Sequence, residues 1–164
     1  MRPAEADIGA LLELLHAGGV DCIVVGGAAA LLHGAPIATV DLDIVPEQGA
    51  ANLDRLFALF AGLDAILREP GSRQLSPGRQ ALDGTGQLLL RTRLGPLDVL
   101  LRLHDGSGYP ELVAHTVVRS VGDFHVRLID LPTLAAVKGS TGRARDRLTV
   151  PLLLDLMKAE SEER

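Results

Sequence analysis

Aromatic side chains are nearly missing: the 164-residue sequence has no tryptophan, one tyrosine and three phenylalanines. A core must therefore be assembled from Leu, Ile, Val and Ala. Base stacking on aromatic platforms is also largely closed off, so base-specific RNA recognition would need basic contacts or a partner. Cysteine occurs once, as Cys22, which excludes an internal disulfide and a cysteine-rich zinc site. At the start of an apolar run it reads as a small core residue. Basic charge is in deficit, 16 Lys and Arg against 21 Asp and Glu, for a net charge of −5. That balance argues against a broad electrostatic footprint for nucleic acid but leaves room for a local basic patch. No apolar run reaches transmembrane length, and the first seven residues lack a signal peptide's apolar stretch. The expectation is a cytoplasmic protein without membrane contact. A Gly-x-Ser-x-Gly elbow and a Walker-type phosphate loop are both absent, which removes the common serine-hydrolase and P-loop readings.

What is present centres on residues 22–46. An apolar run, Cys22-Ile-Val-Val25, reaches the pair Gly26-Gly27, and a short Ala/Leu helix follows to His33. A second apolar run then carries Asp41 and Asp43. Flanking Leu42, Ile44 and Val45 favour burial, so the run reads as a strand, and its i, i+2 carboxylates project from one face. Two like charges held so close resist joint ionisation unless a cation compensates them. On the pair alone, a divalent metal site and an acid at a strand end beside a loop cap fit equally well. Asp98 tilts the balance. It too lies inside an apolar run, 97–103, and a mid-strand acid is costly to bury without a partner. Three carboxylates on neighbouring strands can hold one or two Mg²⁺ (or Mn²⁺) ions, which prefer oxygen ligands. Such ions can activate a hydroxyl and clamp a nucleoside triphosphate.

The rest of the chain frames these strands. Helices are expected at 7–17 with Asp7 as N-cap, at 49–62, from Asp130 to about Gly139, and over Leu148–Met157, where Pro151 limits the start. Residues 68–86, rich in Gly, Pro and charge, read as a long polar connection, either a mobile loop or part of a hairpin. Residues 87–93 and 97–103 form a hairpin turning at Gly95-Pro96, 109–115 a short helix, and 117–121 with 124–129 two strands. Ser140–Arg147 reads as a basic loop. The order implies an α/β fold, a mixed sheet flanked by helices, in a single domain spanning 1–164.

Gly26-Gly27, Asp41-Leu-Asp43 and Asp98, in that order, resemble the nucleotidyltransferase superfamily that includes DNA polymerase β. The motifs Gly26-Gly27-Ala-Ala-Ala-Leu31, Thr39-Val-Asp-Leu-Asp-Ile44 and Lys138-Gly-Ser-Thr-Gly-Arg-Ala-Arg-Asp146 look like its AbiEii/MenT-type branch of nucleotidyltransferase toxins. This resemblance covers roughly residues 20–150. It implies a nucleotidyltransferase fold with C-terminal helices, and an enzyme that moves NMP from an NTP to a hydroxyl with release of pyrophosphate. Asp41, Asp43 and Asp98 would be the metal ligands, with Asp98 also orienting the acceptor. Gly26, Gly27, Thr39, Lys138, Arg143 and Asp146 would form the nucleotide site, Lys138 neutralising phosphate charge and Asp146 orienting Lys138. Where better-known branches place serine after the first glycine, this chain has Gly27, so backbone N–H groups must replace a hydroxyl contact.

The implied acceptor is RNA, in particular a tRNA 3′ end, met by Arg143, Arg145 and Arg147, with the protein acting as a toxin beside a cognate antitoxin. Transfer to protein, or a catalytically weak nucleotide-binding regulatory or antitoxin role, is the alternative. Thr39 could also carry a phosphate that blocks the site, since added negative charge there would repel NTP; the other reading is a threonine that simply favours β structure. His33 reads as structural, for want of a second histidine at ligand spacing.

Overall fold

The computed structural model describes residues 2–68, 71 and 73–164. Asp7 caps α1 (Ile8–Ala17) by accepting the Ala10 N–H at 3.0 Å, and Leu11, Leu12 and Leu15 form its buried stripe. Gly19, at φ +69°, turns the chain into β1 (Cys22–Val25), which runs directly into α2 (Gly26–Leu32). β2 (Leu42–Pro46) and α3 (Ala50–Gly62) follow. Next come β3 (Ile66–Leu67), β4 (Gln87–Thr92), β5 (Gly95–Leu100), the single-turn α4 (Tyr109–Leu112), β6 (Thr116–Val121) and β7 (Phe124–Ile129). The chain closes with α5 (Leu131–Ser140), capped by Asp130, and α6 (Ala144–Glu162).

The seven strands form one sheet in the order β3-β4-β5-β2-β1-β7-β6. Pairs β2–β5 and β1–β7 are parallel, and the other four are antiparallel. This is the mixed sheet flanked by helices expected from the order of elements. Ile23, Leu42, Ile44, Leu90, Leu97 and Leu128 are fully buried on its central strands. Strands covered on both faces read as near-continuous apolar runs, which is why Asp43 and Asp98 stand out within theirs. Among the described residues, no helix is long and apolar enough to cross a membrane.

Two expectations need correction. The β4–β5 hairpin turns at Arg93-Leu94, not at Gly95-Pro96: Thr92 pairs with Gly95, and the buried Thr92 hydroxyl accepts from Leu94 N–H and donates to the Gly95 carbonyl. Pro96 is tolerated inside β5 because β2 pairs only from Leu97 onward, so no ladder partner is lost on that side. The last helix starts at Ala144, not Leu148, and so absorbs the second half of the expected basic loop. Asp146 in its first turn complements the helix dipole, and that early start outweighs the one backbone bond Pro151 removes. The polar connection 68–86 joins the antiparallel strands β3 and β4, as its hairpin reading has it, and contains a 3-10 turn, Arg79–Leu82; its residues 69, 70 and 72 lie outside the described residues.

Candidate active site

Register builds the site. In the parallel β2–β5 pair, Asp43 lies directly opposite Asp98, so both side chains leave the same face of the sheet. Asp41 lies just before β2, two residues from Asp43, and joins them. One carboxylate oxygen from each lies within 4.8 Å of the others. Asp98 is only 8% exposed. One oxygen of Asp43, Oδ1, is buried without a hydrogen-bond partner, which is costly for a carboxylate unless another group fills its coordination.

Electrostatics follow from that crowding. Burial, then the Asp41 charge, then Asp98, push the Asp43 carboxyl up to about 8, and Lys138 only partly counters them. Burial also raises Asp98, against the opposing pull of Arg68.

The glycine pair abuts the acids. Gly26 has φ +65°, and a Cβ there would collide with the Asp43 carboxylate. A Cβ on Gly27 would come within 2.8 Å of Thr39 Oγ1. The Thr39 hydroxyl donates in turn to the Asp41 carbonyl at 3.2 Å and faces Asp41 Oδ1 at 3.4 Å. Thr39 is thus fixed between the glycines and the first carboxylate.

Across the opening, α5 and α6 supply positive charge. Lys138 Nζ donates to Asp146 Oδ1 at 3.2 Å, Thr141 donates its hydroxyl to Asp146 Oδ2, and Arg143 Nε lies 3.6 Å from the same oxygen. Burial works to raise the Asp146 carboxyl, but these three donors outweigh it and hold it below the ordinary carboxylate range. Asp146 therefore gathers Lys138 and Arg143 on one wall.

All three carboxylates, both glycines and Thr39 line a single cavity of about 810 Å³. Lys138, Arg143, Arg145 and Asp146 line it as well. Arg147 does not; its guanidinium turns back to the Gly142 carbonyl at 3.0 Å. His33 fits its structural reading, its Nε2 meeting the Ile129 carbonyl at 2.8 Å. The Cys22 thiol is pushed up to about 12, by burial and then by Asp21, and stays protonated. Two polar groups, one beside the acids and one at the cavity, escape the sequence reading. Arg68, which donates to Asp98 Oδ1 at 2.7 Å, stood in a stretch read as solvated connection. His104, set against Ser140 Oγ at 2.7 Å on the cavity rim, belongs to no motif.

No family model matches the sequence, and no curated protein matches it. Solved structures do. The lincosamide antibiotic adenylyltransferase LnuA, crystallised with lincomycin, superposes with a TM-score of 0.61 at 13% identity, covering 94% of this chain and 99% of that one. A Thermotoga maritima protein assigned provisionally as a nucleotidyltransferase gives a TM-score of 0.53 at 14% identity, over 93% and 96% of the two chains. The protein thus has the nucleotidyltransferase fold with C-terminal helices. At these identities the likeness concerns the fold alone.

Proposed function

We propose that this protein transfers a nucleoside monophosphate from an NTP to a hydroxyl acceptor, with pyrophosphate leaving. The observation that carries this reading is the facing pair Asp43 and Asp98, joined by Asp41, with a buried Asp43 oxygen that has no protein partner. The donor set is all carboxylate oxygen, which suits Mg²⁺ or Mn²⁺ and not a soft metal. Bound there, such ions would supply charge neutralisation of the transferring phosphoryl oxygens and of the attacking oxygen.

The chain's own residues supply the rest. Gly26 and Gly27 keep the floor free of side-chain bulk, so the triphosphate can approach backbone N–H groups beside Asp43. Lys138 and Arg143, held by Asp146, present positive charge to the phosphates across the cavity. Asp98 faces the acids from β5 and orients the acceptor hydroxyl. Lys138→Ala should cut kcat/KM for NTP by about 10²-fold, by analogy with the loss of one preorganised charge donor, in steady-state pyrophosphate assays. An unchanged kcat/KM would remove Lys138 from the chemistry. Thr39→Glu, which sets a negative charge between Gly27 and Asp41, should abolish NTP binding measured by calorimetry. Retention of parental affinity would end the idea that modification of Thr39 silences the site.

For the acceptor, the reading carried from the motifs is an RNA end, a tRNA 3′ end in particular, in a toxin paired with an antitoxin. Arg143 and Arg145 at the cavity support it. A second reading, a small hydroxylated molecule, is favoured by the placement of the arginines: Arg147 faces away and Arg143 is tied to Asp146. The similar fold of LnuA serves a small antibiotic. Incubation with each labelled NTP and Mg²⁺, beside an Asp41→Ala/Asp43→Ala control, separates these. Acid-dependent label in total RNA supports the toxin reading, label in protein supports protein NMPylation, and label only in small hydroxylated compounds supports the second reading. NTP binding without any transfer would favour a regulatory nucleotide-binding protein.

A further inference from the structure

Arg68 follows β3 and lies outside every motif described above. Its backbone N–H donates to the Leu89 carbonyl at 2.8 Å. Its guanidinium then crosses β4, donating to the Leu90 carbonyl at 3.1 Å and to Asp98 Oδ1 at 2.7 Å. Leu89 pairs with Asp98, and Asp98 with Asp43, so Arg68 sits at the end of a row that crosses the sheet into the acidic cluster. The pair is well shielded, with side-chain exposures of 27% for Arg68 and 12% for Asp98. Among the described residues, Arg68 is the cation that forms an ion pair within the acidic cluster, and it does so through Asp98; Lys138 is paired with Asp146.

We propose that Arg68 is a positioning residue: it holds Asp98 by one oxygen, Oδ1, and so directs the other toward Asp41 and Asp43, where the metal and the acceptor hydroxyl are met. This rests on the nucleotidyl-transfer reading. A carboxylate beside two others is repelled by them and would rotate about its terminal torsion, which is broad and two-fold. A guanidinium anchored on the Leu90 carbonyl fixes that plane, because its donors have a rigid, planar geometry. An ammonium could supply the charge but not the orientation. The guanidinium also offsets the mutual repulsion of the acids in the metal-free chain. Groups that orient metal-binding residues typically matter 10- to 100-fold in affinity or activity.

The test uses the full chain as parent, Arg68→Gln and Arg68→Lys. Two quantities are measured: the Mg²⁺ dependence of the melting temperature, and kcat with KM for NTP. Arg68→Gln should lower the metal-free melting temperature, raise the half-saturating Mg²⁺ concentration about tenfold, and cut kcat about 10- to 100-fold with KM for NTP little changed. Arg68→Lys should recover the metal-free melting temperature but not kcat. It carries the test if the glutamine variant fails to fold. Parental half-saturation and kcat in Arg68→Gln would overturn the inference and leave nucleotidyl transfer standing. So would full recovery of kcat by lysine, since charge alone would then suffice. A parent that shows neither a Mg²⁺-dependent melting shift nor transfer would overturn the nucleotidyl-transfer reading, and this inference with it.

Discussion

Asp43→Asn should lower nucleotidyl transfer by at least about 10³-fold and, at the same time, make the metal-free protein more stable. The loss follows from removing a ligand whose cations contribute several kcal/mol to transition-state charge stabilisation, each 1.36 kcal/mol being about tenfold in rate. The gain follows from the crowding of Asp41, Asp43 and Asp98 within one cluster. An amide keeps the shape of the carboxylate without its charge, so the repulsion and the burial cost both fall. Relief of about 1–2 kcal/mol would raise the melting temperature by roughly 3–8 °C in a chain of this size.

The pH dependence carries the same signature. The folded-state carboxyl of Asp43 sits at about 8, whereas in the unfolded chain it loses its proton near the ordinary value of 3.8. Between those values the folded state binds the extra proton, so stability declines as pH rises. Asp146, held below the ordinary value, works the other way, but only in more acidic solution. Melting temperatures taken across the interval should therefore fall in the metal-free parent, fall less in Asp43→Asn, and be restored by Mg²⁺ in the parent alone. Equal slopes in parent and variant would contradict the placement of Asp43 in a shared, charge-crowded site.

Gly26→Ala carries the second large effect. At φ +65° any side chain is strained, at a cost of about 1–2 kcal/mol, and here the new methyl group also meets the Asp43 carboxylate. Asp43 must move, and displacement of a reacting group by about 1 Å can cost 10²-fold in rate. Gly34→Ala is the control: at φ +100° it is strained at least as much, but nothing lies within 4 Å of its added Cβ. Gly34→Ala should lose stability and keep kcat, whereas Gly26→Ala should lose both. If the two variants had equal kcat, contact with Asp43 would play no part.

The central strands and their acids were legible in the sequence because burial on two faces leaves continuous apolar runs, in which Asp43 and Asp98 are conspicuous. The parallel register that sets those two residues opposite each other was not legible, since β2 and β5 are separated by more than 40 residues and nothing local specifies their pairing. Pro151 suggests a helix start at Leu148, yet a single proline removes only one backbone bond, and the helix begins at Ala144 with Asp146, paired to Thr141 and Lys138, in its first turn. Arg68 was hidden because nothing local specifies its partner. Its sequence neighbours are loop-like, and its importance comes from reaching over β4 to a strand 30 residues later.

The most direct test of the account is pyrophosphate release from NTP by the purified chain with and without Mg²⁺, beside Asp41→Ala, Asp43→Ala and Asp98→Ala, in the presence of RNA or hydroxylated small molecules. The account predicts release that requires the metal, an acceptor and all three carboxylates, each alanine variant falling to background. Release that persists in the Asp43→Ala and Asp98→Ala variants, or that proceeds undiminished after chelation of divalent ions, would contradict it.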